Sequence, residues 1–191
     1  MRVIAGTARG RQLRSLPGLE VRPTLDRVRQ GVFSSLGERV REAVFLDLFA
    51  GSGAVGIEAL SRGAAQVVFI EVSSGCLRHL RSNLERCGLA DRARILASDW
   101  RAGVGRLKRA QEGFDLIYAD PPYGRFDEAS ILAEVEPLLV QGGALLFEHP
   151  GRRRMPQKTG RLRLERVMIY GQTSVSWYLP AELVDTSKGG L

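Results

Sequence analysis

Four consecutive residues in this sequence have side chains and backbone groups that could hold a planar amine. Asp120, Pro121, Pro122 and Tyr123 directly follow an apolar run. The two prolines fix the backbone and remove two N–H donors, so the loop is stiff and its carbonyl groups are available as acceptors. In such a loop Tyr123 would stack on the ring, while Asp120 and a proline carbonyl accept hydrogen bonds from the NH2 group.

This arrangement would direct the nitrogen lone pair of an aryl amine at an electrophile. An aryl amine is a poor nucleophile because its lone pair is delocalised, so alignment and electron-withdrawing hydrogen bonds would be the main catalytic effects. The ammonium product loses its proton easily. A strong general base is therefore not required, and either Asp120 or water can receive the proton.

A second segment, glycine-rich, predicts a site for a ligand that contains adenosine. Gly51, Gly53 and Gly56 form a G-x-G-x-x-G pattern between a predicted strand and a predicted helix, and Glu71 follows 20 residues after the first glycine. Glycines let the backbone approach a ligand closely, and a carboxylate at this distance can accept from both ribose hydroxyls. The same layout also fits a nicotinamide cofactor.

Asp47 favours one adenosine ligand over the others. An acid four residues before the first glycine would repel a pyrophosphate. It suits the cationic ammonium and sulfonium groups of S-adenosylmethionine, although an acid that only caps the following helix remains an alternative. Asp99, after a third predicted strand, could accept from the adenine amino group with Trp100 packed nearby, or could cap a helix; the two roles are compatible.

The elements that must position these residues alternate along the chain. Buried-strand patterns are followed by helical periodicities, which predicts an α/β fold with a mostly parallel sheet of seven strands and helices on both faces. The predicted strands are 43–49, 67–70, 93–97, 114–119, 143–148, 161–170 and 174–179. The predicted helices are 24–36, 54–62, 73–87, 101–110 and 127–139.

Short strands at 2–5 and 11–16 predict a small β-hairpin ahead of this unit. We therefore expect an N-terminal extension over residues 1–22, a main domain over 23–180 and a loose tail over 181–191. No apolar run reaches the length of a membrane helix, and the N-terminus lacks the apolar core of a signal peptide. We accordingly expect a cytoplasmic protein without a membrane partner.

The charge distribution predicts a polyanionic partner. The chain of 191 residues carries a net charge of +7. Residues 1–29 hold seven arginines against two acids, and residues 150–166 hold seven basic residues against one acid. Clustered basic residues, nearly all arginine, are typical of nucleic-acid binding. The two cysteines and two histidines do not have the spacing of metal ligands, so no metal is predicted.

These motifs resemble those of S-adenosylmethionine-dependent amino-methyltransferases, and more narrowly those of the RsmD-like family. The narrower resemblance is carried by flanking segments over about residues 1–180: 2–6 with 9–11, 22–24 with 26–29, 46–64, and 170–173. It implies a Rossmann-like class I methyltransferase that acts on the 2-amino group of one guanosine in 16S ribosomal RNA. The implied substrate is this RNA, within a small-subunit particle or an assembly intermediate, and the protein is expected to be a monomer.

The predicted site residues fall into three groups. The catalytic group, which would hold the guanine, is Asp120, Pro121, Pro122 and Tyr123. The cofactor-binding group is Asp47, Phe49, Gly51, Ser52, Gly53, Glu71, Asp99 and Trp100. The RNA-binding group is Arg9, Arg11, Arg22, Thr24, Arg27 and Arg29.

Several alternatives stay open at this point. Thr24 and Arg27 either contact RNA or only order the first helix, and Arg152–Arg154 either touch phosphates or form a solvated loop. The tetrapeptide would serve an adenine amine equally well, so an adenine amino-methyltransferase acting on DNA or RNA remains an alternative. So does a non-catalytic RNA-binding factor for ribosome assembly. Protein-glutamine methyltransferases and nicotinamide oxidoreductases fit the motifs less well.

Overall fold

The computed structural model describes residues 1–16 and 23–181, without the side chains of 23–25. The predicted tail at 182–191 lies outside the described residues, as does the predicted domain boundary at residue 22. Within the described ranges no helix is long and apolar enough to cross a membrane.

Strands and helices alternate through most of the chain, as expected. The strands are β1 Val44–Leu48, β2 Gln66–Glu71, β3 Ala93–Ala97, β4 Phe114–Ala119, β5 Leu139–Pro150, β6 Lys158–Thr159, β7 Leu162–Tyr170 and β8 Thr173–Pro180. The α-helices are α1 Pro23–Leu36, α2 Ala54–Ser61, α3 Ser74–Cys87, α4 Trp100–Arg109 and α5 Glu128–Val135.

The strands form a single sheet in the order β3-β2-β1-β4-β5-β8-β7-β6. Strands β1 to β5 pair in parallel with one another, and β8, β7 and β6 extend the sheet from β5 in antiparallel pairs. The predicted fold class is confirmed, with eight strands instead of seven. The additional strand β6 has only two residues and no apolar side chain, so no hydrophobic pattern marked it.

The apolar residues of the parallel strands alternate between the two faces of the sheet. Val67 and Phe69 belong to a core shared with α1, α2 and α3, whereas Val68 and Ile70 belong to a core shared with α4 and α5. This follows from the two-residue period of a strand. Helices cover both faces of the sheet, so a ligand can reach the strands only at their ends. In open α/β sheets ligands bind where the parallel strands end at their carboxyl side.

The N-terminal segment 1–16 packs onto the domain rather than standing apart from it. The predicted hairpin is reduced to one antiparallel bridge between Arg2 and Gln12. The buried carboxylate of Glu58 on α2 accepts hydrogen bonds from the backbone N–H groups of Ile4 (2.7 Å) and Ala5 (3.0 Å). Backbone hydrogen bonds from Val3 to Arg11 (3.0 Å) and from Leu13 to Met1 (2.9 Å) still join the two arms of the segment, and the bonds to Glu58 attach it to α2.

Candidate active site

A cavity of about 1350 Å³ lies at the carboxyl ends of the parallel strands. Its wall includes the residues that follow β1 and β4. These two strands are neighbours at the point where the strand order reverses direction, which is where open α/β sheets bind ligands. Residues at the ends of β2 and β5 and after β3 also line the cavity, so the topology brings distant motifs of the sequence into one site.

Glu71 organises the glycine loop from the end of β2. One of its oxygens, Oε2, accepts a hydrogen bond from the backbone N–H of Gly51 at 2.7 Å. The other, Oε1, accepts from the backbone N–H groups of Val72 (2.8 Å) and Ser73 (2.7 Å). Glu71 and Gly51 both line the cavity, as does Phe49. The carboxylate therefore joins the two loops that form this part of the wall.

Ser52 and Gly53, predicted at the cofactor, are not among the residues that line the cavity. Gly53 has a φ of 85° and begins α2; a Cβ there would lie 2.2 Å from Cδ1 of Leu80. The carbonyl oxygen of Ser52 accepts from Nδ2 of Asn83 at 3.0 Å. Both residues pack the loop against α3. They therefore support the cavity wall without forming part of its surface.

Asp47 is also placed behind the loop, and this corrects the expectation that it faces the cationic end of the cofactor. Its position in β1 directs it to the face covered by α2, where it is 2% exposed and its Oδ2 accepts from the backbone N–H of Gly56 at 2.8 Å. Burial raises the pKa of Asp47 to about 7, although the bond from Gly56 opposes the rise. The structure thus favours the alternative in which Asp47 caps α2.

Asp99 and Trp100 lie together at the cavity wall, after β3. Asp99 caps α4 by accepting from the backbone N–H of Arg101 at 2.9 Å, so its helix-capping role is observed. The ring centroid of Trp100 lies 5.9 Å from that of Phe49 and 6.0 Å from that of Phe126. Sequence reasoning missed Phe126, which lies in a loop without a motif. The three rings form an apolar part of the wall.

All four residues of the tetrapeptide line the same cavity. Asp120 directly follows β4, and its backbone N–H faces the carbonyl oxygen of Leu48 in β1 at 3.4 Å. Burial raises the pKa of Asp120 well above its usual range, and the negative charges of Glu148 and Asp47 raise it further. Tyr123 is 54% exposed at the cavity mouth. The tetrapeptide therefore offers a partly buried acid and an accessible ring.

Glu148 is a second acid in the cavity wall that sequence reasoning missed. It lies near the end of β5, is 4% exposed, and accepts a hydrogen bond from the hydroxyl of Tyr118 in β4. The only signal in the sequence was an acid at the end of the fifth apolar run. The turn between β7 and β8 also lines the cavity through Tyr170, Gly171, Gln172 and Thr173.

Comparison with known proteins agrees with this geometry. The model of the family described as "Conserved hypothetical protein 95" matches residues 1–179. The chain belongs to this family. The resemblance to the RsmD-like enzymes is thereby confirmed.

Similar proteins within this family include two from well-known bacteria. "Putative rRNA methyltransferase YlbH" of Bacillus subtilis (strain 168) is 33% identical over 180 residues, which are 93% of this chain and 98% of the relative. "Ribosomal RNA small subunit methyltransferase D" of Escherichia coli (strain K12) is 33% identical over 93% of this chain and 89% of its own. The solved "Putative methyltransferase yhhF from Escherichia coli" has a TM-score of 0.82 at 31% identity, covering 96% and 99% of the two chains.

The arginines predicted to contact RNA in this family member do not share one location. Arg27 is exposed and lines the cavity. Arg22 and the side chain of Thr24 lie outside the described residues. Arg9 and Arg11 are exposed. They belong to the segment that packs on Ser61, at the far end of α2 from the cavity: the backbone N–H of Ala8 donates to Oγ of Ser61 at 2.9 Å.

Arg29 is buried, and the prediction that it contacts RNA is wrong. The side chain is 4% exposed. Its Nη2 donates to the carbonyl oxygen of Arg2 at 2.6 Å and to Oδ1 of Asp26 at 2.9 Å, and its Nε lies 3.8 Å from Oε2 of Glu58. Arg29 therefore fixes the N-terminal segment between α1 and α2, a task that its position in a basic sequence block did not reveal.

The second basic block begins directly after Pro150, which lines the cavity. The backbone N–H of Gly151 donates to the carbonyl oxygen of Gln172 at 2.7 Å, which holds the loop 151–154 beside the turn that lines the cavity. Arg153 pairs with Glu128 at 2.6 Å, whereas Arg152 and Arg154 are exposed. Arg27 and Arg125 line the cavity, whereas Arg152 and Arg154 line a separate pocket with Asp127 and Glu128. The four exposed arginines 27, 125, 152 and 154 are called the basic rim below.

Proposed function

We propose that this protein transfers a methyl group from S-adenosylmethionine to the 2-amino group of one guanosine in 16S ribosomal RNA, within a small-subunit particle or an assembly intermediate. The observation that carries the proposal is the meeting of two motifs in one cavity. The segment Asp120–Tyr123 and the loop held by the hydrogen bond between Glu71 and Gly51 both form parts of the same wall. Both halves of a methyl transfer can therefore be held together.

The cavity fits S-adenosylmethionine, which supplies an electrophilic methyl group on a sulfonium when it is bound. The acid Glu71, at the end of β2, is in the position that binds a ribose in this type of fold. The rings of Phe49, Trp100 and Phe126 offer an apolar surface for a base. The indole ring of Trp100 is itself buried, so it contributes to the wall chiefly through its packing against Phe49 and Phe126. Asp99 adds an acceptor beside it.

The tetrapeptide would bind and orient the guanine. Tyr123 offers its ring for stacking, and Asp120 with a proline carbonyl accepts from the 2-amino group, which directs the nitrogen lone pair away from the ring. The raised pKa of Asp120 lets it hold the proton that the amine releases after transfer. Stacking, orientation and proton uptake are thus divided among residues of one loop.

The basic rim suits an RNA substrate. A base has to leave any stack before it can enter the cavity, and loops and bulges of RNA present unstacked bases most easily. Arginines at 27, 125, 152 and 154 would then contact phosphates on either side of the extruded nucleotide. The names of the two bacterial relatives, both of which refer to ribosomal RNA, support this substrate class. The monomeric state and the cytoplasmic location stay predictions.

Transfer of labelled methyl groups tests the proposal. Purified protein and labelled S-adenosylmethionine are incubated with unmodified small-subunit particles, naked 16S ribosomal RNA or duplex DNA, and the labelled nucleoside is identified. We expect 2-methylguanosine at one site. Label in methyladenosine would replace the proposal by the adenine alternative, and cofactor binding without transfer to any of these substrates would favour the non-catalytic factor.

A further inference from the structure

Two acids stand side by side in the cavity wall, on neighbouring strands. In the register of β4 and β5, Ala119 pairs with Phe147. Asp120 and Glu148 are the next residues of their strands, and both line the cavity. The proposed function uses only Asp120, so the second acid needs an explanation.

Tyr118 holds Glu148 in a defined orientation. The phenol hydroxyl donates a hydrogen bond to Oε2 of Glu148, and both groups are buried. Burial and the nearby charge of Glu148 raise the pKa of Tyr118 well above its usual value, so the phenol remains a donor. The carboxyl group of Glu148 is therefore fixed in the wall rather than free to turn into solvent.

The hydrogen-bonding edges of purines explain what a second acceptor could read. Guanine carries an N1–H donor directly beside its 2-amino group. Adenine has an N1 acceptor beside its amino group, and so do 2-aminopurine and 2,6-diaminopurine. Two neighbouring carboxyl acceptors match two neighbouring donors, whereas an acceptor facing a buried carboxylate is repelled and leaves it unpaired.

We propose that Glu148 selects guanine by accepting a hydrogen bond from its N1–H while Asp120 holds the adjacent 2-amino group. This inference rests on the proposed function and assigns its base specificity to a named residue. Glu148 is then a specificity-determining residue, and Tyr118 is the residue that positions it.

The electrostatics of the two acids agree with this role. Burial raises the pKa of Glu148, and the hydrogen bond from Tyr118 opposes the rise. The pKa of Asp120 is raised in turn by burial and by the charge of Glu148. Two adjacent N–H donors would relieve the repulsion between these acids, and a purine with an acceptor at N1 would not.

The test compares three bases at the methylated position, once it has been mapped. Small-subunit RNA is assembled from ligated fragments that carry guanosine, 2-aminopurine or 2,6-diaminopurine at this site. All three retain the 2-amino group, and the two analogues share an N1 acceptor but differ at C6. We expect kcat/KM of the wild-type protein to favour guanosine by at least about 100-fold over both analogues.

Glu148→Gln should lower this preference by at least about tenfold, because the amide can donate to an N1 acceptor. Glu134→Gln is the matched control: it removes an exposed carboxylate of α5 that pairs with Lys108, outside the cavity, and should leave the ratio unchanged. Tyr118→Phe retains the carboxyl group but removes its anchor, and should reduce the preference in part. This second variant keeps the test valid if Glu148→Gln does not fold.

The outcomes separate the inference from the proposed function. A wild-type protein that discriminates against neither analogue, or variants at both positions that keep the full ratio, would overturn the role of Glu148 while leaving guanosine methylation intact. A wild-type protein that labels no guanosine would overturn the proposed function, and this inference with it. A purely structural Glu148 would lower all three rates equally, which also contradicts the proposal.

Discussion

Replacing Glu71 by glutamine tests how the glycine loop is held in place for the cofactor. The side chain now accepts three backbone hydrogen bonds, one from Gly51 through Oε2 and two from Val72 and Ser73 through Oε1. Glutamine can keep the two bonds at one oxygen, but its NH2 group would then face the N–H of Gly51. One hydrogen bond to a charged group is lost, which costs about 1.5–3 kcal/mol.

This loss should appear mainly as weaker cofactor binding. In the variant, the glycine loop must return to the position that Glu71 imposes before it can bind the cofactor. The free energy of the lost hydrogen bond therefore appears as a rise of about 10- to 100-fold in the Kd for S-adenosylmethionine. Titration calorimetry measures the Kd, and urea unfolding reports stability separately. Glu85→Gln, an exposed change on α3, is the control. A Glu71→Gln protein that binds S-adenosylmethionine as tightly as this control would refute the reasoning.

Four further substitutions test the remaining parts of the structure. Asp120→Asn should reduce turnover by at least about 100-fold and leave the Kd for S-adenosylmethionine within about twofold, because this acid contacts only the substrate in the proposed arrangement. Single-turnover assays measure the rate and calorimetry measures the Kd. A Kd that rises in step with the loss of turnover would contradict this role. Arg27→Ala should weaken RNA binding and lower the salt dependence by about one phosphate contact. Arg29→Ala should instead lower stability by about 1.5–3 kcal/mol, because the carbonyl oxygen of Arg2 loses a charged donor and Arg62 remains the cationic partner of Glu58. Filter binding at several salt concentrations and urea unfolding distinguish the two variants, and the reverse pattern would contradict the structure. The pKa of Asp47, about 7 when folded and near 4 when unfolded, means that the folded state binds the extra proton between these values. The free energy of unfolding should therefore fall by up to about 1.4 kcal/mol per pH unit as the pH rises from 4 to 7. Urea unfolding of Asp47→Asn over this pH range should not show this fall. Equal slopes of unfolding free energy against pH for the two proteins would refute the raised pKa of Asp47.

Local patterns were sufficient for most of the fold. The ends of β3 and β4 were predicted to the residue, because short apolar runs are bounded there by polar residues. The helix predicted to reach residue 139 ends at Val135 and continues as a 3₁₀ turn over Glu136–Leu138, because Pro137 has no backbone N–H with which to continue the α-helical hydrogen bonds. Strand β5 starts before the glycines at 142 and 143, which read as a loop in isolation.

The site was less accessible to sequence reasoning wherever its geometry depends on distant partners. Glu148 becomes part of the wall through the register of two strands and through Tyr118, which is 30 residues away. Arg27 and Arg29 have the same residue type and differ by two positions, which places them on different sides of a helix. Only the docking of the N-terminal segment decides which of them is buried, and no local pattern encodes that contact.

The attachment of the first residues also bears on the order in which the chain can fold during synthesis. Ile4 and Ala5 bind Glu58, and the backbone of Arg14 exchanges hydrogen bonds with Asn83, 69 residues further along. The segment made first therefore has to wait for its partners until α3 has been made. Residues 1–16 then pack on helices that are synthesised after them. Amide hydrogen exchange at Ile4 and Ala5 should therefore become slow only after α2 and α3 have formed.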